Sequence, residues 1–335
     1  MTTPEAPPPD GRYRVVVLAG GLTPERDVSL RSGRRVAEAL TQQGHQVWVR
    51  DVDADLLGWL RDDPPDCVIP LLHGGAGEGG ALQEILELAG VAFVGTRATS
   101  ARLAFDKPIA KLMVERSGIA SPPSVALPSD VFRELGAAVI LDSVVRRLGL
   151  PLFVKPAMGG SAFGCTAVDR PESLGGALVG CFAHCPVALI ERLVVGVEVA
   201  VPVLDTPGGP QALPAVEIRA DGGVYDYTAR YTAGATEFVV PAGIDDNTAS
   251  ACARTATAAH TALGLRDLSR ADLIVDGAGT IWFLEANVCP GMTETSLVPL
   301  SVAAAGQSLG DLYSRLVASA VSRRRTARRR RETSS

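Results

Sequence analysis

Apolar and polar positions along the first third of the chain fall into short, fully apolar runs separated by longer amphipathic ones. "YRVVVLAGG", from Tyr13, predicts a buried strand running into glycines, and "SLRSGRRVAEALTQQG" predicts an amphipathic helix begun near Ser29. "HQVWVRDV" and "DCVIPLLHGG" predict further strands, and "GALQEILELAG" a helix with a Gly stop. A βαβ rhythm of this kind implies a parallel sheet with functional loops at the carboxyl ends of its strands. Glu25 follows the first of those strands and His73 a later one.

From about Thr96 the pattern changes. A helix is predicted over "RATSARLAFDKPIAKLMVERSG", then a Pro-bearing link, "IASPPSV", and after another helix a strand–turn–strand unit, "LPLFVKPAMGGSAFGCTAVD". β-rich runs follow, from "ALIERLVVGVEVAVPVL" to "QALPAVEIRA", then a polar Tyr-rich loop and a long Ala/Thr helix. The last β-rich unit reads as a hairpin, Ala271–Asp276 and Ile281–Asn287 around Gly277-Ala278-Gly279-Thr280. With Asp276 opposite Ile281, Asp272 faces Glu285 and Arg270 faces Asn287. Glu285 and Asn287, two apart, share a face. Facing carboxylates repel across a ladder, so a cation is expected between them.

Composition narrows the function. With 335 residues, 47% of them hydrophobic, the chain can bury a large core and is expected to hold more than one domain. It has no apolar run of spanning length, and the Pro-rich start lacks the apolar stretch of a secretory signal, so no membrane association is expected. The six cysteines lie mostly in apolar runs, and Cys181-x-x-His184-Cys185 lacks a second ligand pair for zinc; reduced, cytoplasmic thiols are expected. The net charge of −5 splits into +6 over "RRRTARRRRE" (seven Arg, one Glu) and −11 elsewhere. Nothing else resembles a nucleic-acid module, so that tail is expected to be solvated. Among 32 Lys plus Arg, only Lys107, Lys111 and Lys155 are lysines, which points to places needing a compact ammonium.

"GGSAFG", Gly159–Gly164, joins two strands and therefore is neither a Walker loop nor a Rossmann fingerprint. It is either a phosphate cradle with Lys155 beside it or an ordinary hairpin tip. "VLAGGLTPERD" lacks the spacing of a nicotinamide site.

In order along the chain, "GGLTPERDVSLRSG", "LHGGAGEGGALQEILEL", "FDKPIAKLMVERSG", "VKPAMGGSAFG", "LIERLVVGVEVAV", "YDYTARYTAGATEFVVPAG" and "SRADLIV…FLEANVCPGMTETSLVP" resemble the D-alanine–D-alanine ligases of the ATP-grasp superfamily, from about Arg12 to Arg323. The resemblance implies an α/β chain, α+β in its C-terminal part, with three-domain ATP-grasp architecture. The expected organisation is a disordered tail 1–11, an N-terminal domain 12–95, a central subdomain 96–190, a C-terminal subdomain 191–322 and a disordered basic tail 323–335.

It also implies ATP with two magnesium or manganese ions, D-alanine as substrate, and a homodimer. By motif position, Lys107, Lys155 and Arg230 would meet phosphates, Glu191 and the backbone near Leu193 the adenine, and Glu198 the ribose. Asp272, Glu285 and Asn287 would be the metal ligands. Glu25, with His73 close by, would hold the first substrate. Arg270 and the Gly291 N–H would stabilise an oxyanion, and Ser296 and Leu297 would anchor the second substrate's carboxylate. Ser161 and Tyr231 would link the central turn and a lid, Asp226–Pro241, to Glu25. The implied reaction forms an acyl phosphate from one D-alanine, which the amine of a second attacks.

Departures from the family pattern are Arg230 for a Lys, Gly79 for an Asp, Ala162 for a Ser, and Cys289 at a small-residue position. They leave room for a ligase of other amino acids or a silent nucleotide-binding homologue. Tyr231 favours an amine as the second nucleophile.

Overall fold

The computed structural model describes residues 11–220 and 236–334. Among these, the strands form three sheets. The first is parallel, ordered β2-β1-β3, with β1 Arg14–Leu18, β2 Gln46–Arg50 and β3 Cys67–Pro70. The apolar run of β1 is buried because both faces of this sheet are covered. The helix after it starts at Arg26, with Glu25 at the N-cap position, a turn earlier than expected.

The second sheet is antiparallel, ordered β4-β7-β5-β6: β4 Ser124–Pro128, β5 Leu152–Pro156, β6 Thr166–Val168, β7 Val187–Arg192. β5 and β6 flank the Gly-rich turn. The third, also antiparallel, is ordered β11-β10-β8-β12-β13 with β9 on β8. Its strands are β8 Gly196–Thr206, β9 Gly209–Ala212, β10 Val216–Ala220, β11 Thr236–Val239, β12 Leu268–Asp276 and β13 Ile281–Asn287.

Two segments differ from the elements expected of them. The predicted helix over 97–118 is broken at Asp106 into Ala98–Phe105 and Lys107–Arg116. Pro108 cannot continue a helix, and Asp106 caps the new start by accepting from the Ile109 N–H (3.1 Å). Ala101, Ala104, Ala110 and Val114 of these two helices pack with Val199, Leu273 and Phe283 of the third sheet.

The basic segment expected as a disordered tail continues the last helix, Leu309–Ser334. Arg favours helix, and the Arg323 guanidinium donates to both oxygens of Asp267 (2.7 Å each). Earlier in that helix, Leu312, Leu316 and Val317 close the core of the first sheet. Residues 1–10 of the N-terminal tail lie outside the described residues. Among the described residues no helix is long and apolar enough to cross a membrane.

Candidate active site

The β12–β13 pair sets out the central charges. Cα partners are Arg270 with Asn287, Ala271 with Ala286 and Asp272 with Glu285, as the sequence predicts. The turn end differs: Val275, not Asp276, faces Ile281, and a bulge after Asp272 leaves Leu284 without an opposite number. Asp276 is instead drawn into the turn, its carboxylate accepting from Ala278 N–H (2.9 Å), Thr280 N–H (2.8 Å) and Trp282 Nε1 (2.8 Å). The bulge restores the register at the functional end and aims side chains anew, as bulges beside sites do.

Cations do sit beside the facing carboxylates, and they are the chain's own. Arg270 forks onto Asp272, Nε to Oδ1 and Nη2 to Oδ2 at 2.7 Å each, with both residues buried. Lys107 Nζ stands 3.2 Å from Glu285 Oε2 and donates to Gly159 O at 2.7 Å. The break at Asp106 puts Lys107 at the head of its helix, where its N–H is tied to Ala157 O (2.9 Å).

Two chambers meet at that lysine–glutamate pair. The outer one, about 500 Å³, is lined by Glu25, His73, Ser161, Arg270, Asn287, Gly291, Ser296 and Leu297, with Thr236 and Phe238 of β11. The inner one, about 120 Å³, is an apolar slot of Phe153, Phe163, Leu193, Ile274 and the bulged Leu284, edged by Lys155, Glu191, Glu198 and Asp272. Lys107, Gly159, Gly160 and Glu285 line both. Tyr231, Arg230 and the expected lid up to residue 235 lie outside the described residues.

Beside the inner slot, Glu191 is held by two ammonium groups. Lys155 Nζ lies 2.7 Å from Oε1, and Lys111 Nζ contacts Oε2. Lys155 pairs with Leu189 and Glu191 with Phe153, so Lys155 and Glu191 are diagonal neighbours on one sheet face. Burial alone would raise the Glu191 carboxyl, yet Lys155 and Lys111 hold it below its ordinary value. Burial alone would lower Lys155, which Glu191 and Glu285 reverse to a net rise. Burial dominates at Lys111, pushing it down to about 8.

Glu191 therefore gives both carboxylate oxygens to lysines while it lines the slot. The Leu193 N–H extends the β5–β7 ladder onto Pro151 O (3.0 Å), and Leu193 lines the slot. Sequence reasoning gave Lys111 no role. The signal was present, since all three of the chain's lysines gather here.

In the outer chamber the His73 Nδ1 lies 3.0 Å from Cys289 O and 3.7 Å from Glu78 Oε1. Burial disfavours the imidazolium, but the Cys289 side chain and Glu78 outweigh it and raise His73 to about 10. Its Nε2 is buried with no hydrogen-bond partner among the described residues. Glu78 and Cys289, unassigned to the substrate by sequence, thus hold a buried cation at the chamber wall. Glu25 lies against the glycines: a Cβ at Gly160 would stand 3.6 Å from its Oε1, and one at Gly74 3.1 Å from its Oε2.

Ser296 occupies the N-cap position of the helix Leu297–Ala304 and bonds Thr293 N (3.0 Å) and Oγ1 (2.8 Å). A Cβ at Gly291 would meet Ser296 Oγ at 2.9 Å, so glycine keeps this loop close. In the Gly-rich turn Ser161 (φ 55°) and Ala162 (φ 56°) both adopt left-handed backbone, which costs about 1–3 kcal/mol each and is typical of functional loops. Gly79, a departure from the family, has its reason in space: a Cβ there would lie 2.5 Å from Gly75 O.

The donor set suits a hard divalent cation. Asp272 and Glu285 face one another, Asn287 shares the Glu285 face, and all three offer oxygen, the choice of Mg²⁺ or Mn²⁺. Asn287 Oδ1 already accepts from the Cys289 N–H (2.9 Å), which fixes the amide's orientation. Among the described residues no group of three His, Cys, Asp or Glu side chains is placed to hold a metal.

A parallel sheet feeding two antiparallel ones, with a lysine-edged slot opening on a charged chamber, defines an ATP-grasp enzyme, an ATP-dependent ligase by class. The comparisons agree. Residues 113–318 match the family described as D-ala D-ala ligase C-terminus. A D-alanine–D-alanine ligase of Pelotomaculum thermopropionicum is 36% identical over 91% of this chain and 95% of its own. The VanG D-Ala:D-Ser ligase of Enterococcus faecalis superposes with a TM-score of 0.78 at 28% identity, covering 92% of this chain and 99% of that one. The ATP complex of the Bacillus anthracis D-alanine–D-alanine ligase does so with 0.78 at 26%, covering 94% and 99%. The chain belongs to the D-alanine–D-alanine ligase family.

Proposed function

We propose that this chain joins two D-alanines to D-alanyl-D-alanine for peptidoglycan precursor synthesis, driven by ATP through an acyl phosphate. The observation that carries this is the meeting of the two chambers at Lys107 and Glu285. The inner slot accommodates a flat base, with phosphates running past Lys155 and Lys107 toward the outer chamber. Glu198 stands at its edge for the ribose.

In the outer chamber Glu25 takes the first D-alanine's ammonium, and the His73 imidazolium faces its carboxylate. That carboxylate attacks the γ-phosphate, and ADP leaves. The second D-alanine is held at its carboxylate by Ser296 and the Leu297 backbone. Its amine attacks the acyl carbonyl, and Arg270 and the Gly291 N–H take the oxyanion as phosphate is expelled. Ser161 and Tyr231 join the Gly-rich turn and the lid to Glu25. Arg230 assists at the γ-phosphate, and closure of residues 226–241 excludes water. Asp272, Glu285 and Asn287 would hold Mg²⁺ or Mn²⁺, two ions in all, supplying charge neutralisation to the transferring phosphoryl group. Arg270 then turns from Asp272 to the reacting carbonyl. We place the protein in the cytoplasm as a homodimer, as the family resemblance implies.

The test is incubation with Mg-ATP and a panel of D- and L-amino acids and D-serine. Phosphate release with D-alanine alone, and dipeptide by mass, is the expected result. Release only with other amino acids contradicts the substrate assignment; none at all contradicts the enzyme.

A further inference from the structure

Lys111 lines neither chamber and makes no approach to where a ligand would lie, yet it is buried and ionically committed. It stands one helical turn after Lys107, on the same face. Lys107 reaches the junction of the chambers, while Lys111 reaches the far oxygen of Glu191, whose other oxygen holds Lys155. Two ammonium groups and one carboxylate leave this trio at +1.

We infer that Lys111 is a positioning residue for the nucleotide: by sharing Glu191, it leaves the chamber-lining Lys155 with a net positive charge for the phosphates. This rests on the nucleotide reading of the inner slot given above. Without Lys111, Glu191 and Lys155 would be a closed ion pair, and the slot edge would carry a dipole where it now carries a charge. Glu191 is needed because two buried ammonium groups alone would repel and shed a proton. The neighbouring charges preserve this balance: Glu115 acts on Lys111 from its own helix, and Glu285 on Lys155 from β13.

The experiment compares Lys111→Met, Lys111→Arg and the double variant Lys111→Met/Glu191→Gln with the wild type. It measures kcat, KM for ATP and for D-alanine, and Kd for Mg-ATP. Lys111→Met is expected to raise the ATP KM and Kd about tenfold, a loss of about 1.4 kcal/mol, with kcat and the D-alanine KM within roughly threefold. Lys111→Arg, which keeps the charge, stays within about threefold of wild type. The double variant removes the anion along with the cation, so Lys155 regains its charge and most of the ATP affinity returns. Unchanged ATP affinity in Lys111→Met overturns the inference, as does a double variant no better than the single. If Lys111→Met does not fold, the double variant, in which Lys155 carries the +1 that the trio carries in the wild type, decides: near-wild-type Kd supports the role, and a tenfold loss removes it. Wild-type protein that fails to bind Mg-ATP at all counts against the nucleotide reading itself, which separates the two failures.

Discussion

The two chambers solve the problem of burying charge in opposite ways. Around the inner one, cations and carboxylates are paired before any ligand arrives: Lys155 and Lys111 on Glu191, Arg270 on Asp272, Lys107 on Glu285. What it offers a nucleotide is the surplus of a balanced network. The outer chamber keeps a group in reserve. The His73 imidazolium is fixed on one side by Cys289 and Glu78, and its Nε2 is buried with no hydrogen-bond partner among the described residues. A paired network tolerates a reacting, changing polyanion; a buried donor held in reserve discriminates, because only a ligand of the right shape satisfies it.

The largest effect is expected where the chambers join. Glu285→Gln keeps the shape of the side chain but removes a carboxylate, and should lower ligation by about 10³-fold or more while leaving the thermal midpoint within a few degrees. Steady-state rates beside a melting curve check this, and undiminished turnover would count heavily against the scheme.

The next variant separates the chambers. His73→Gln should raise the D-alanine KM by roughly 10–100-fold, the range for a charged hydrogen bond, and leave the ATP KM nearly unmoved. Equal rises in both would mean that the chambers do not divide the work.

A smaller loss is expected from Gly291→Ala. Its Cβ must displace Ser296 Oγ from 2.9 Å, shifting the oxyanion donor and the second substrate's anchor together. A fall of about tenfold in kcat/KM for the second D-alanine, read by varying D-alanine at saturating ATP, is the expected outcome.

The mildest effect is one of pH. Lys111, lowered to about 8, faces Glu191, Lys155 and Glu115. Below that pH it is an ammonium and the trio is +1; above it the proton is lost and the trio is neutral. kcat/KM for ATP should therefore decline a few-fold from below pH 8 to above pH 9, and in Lys111→Arg stay level. A flat wild-type profile contradicts the charge balance argued here.

Much of this site was legible because its chemistry is local. The β12–β13 register came out right at Asp272 and Glu285, although the turn pairing behind it was off by one. Period-2 alternation marks faces, but it does not show where a bulge will take up a residue. The helix break at Pro108 was equally a local signal, passed over in favour of a longer periodic run. What was hidden is tertiary. Whether Ala101 and Val114 pack on the second or third sheet, or Arg323 finds Asp267 from 56 residues away, depends on pairings that no window of sequence contains. Lys111 lies between these cases: its rarity was visible, its partner was not.

The central claim, that ATP activates a D-alanine carboxylate as an acyl phosphate, is most directly tested with D-alanine carrying ¹⁸O in its carboxyl group. Mass analysis of the phosphate released during dipeptide formation should find one ¹⁸O transferred per turnover. Dipeptide made with phosphate free of the label would contradict it.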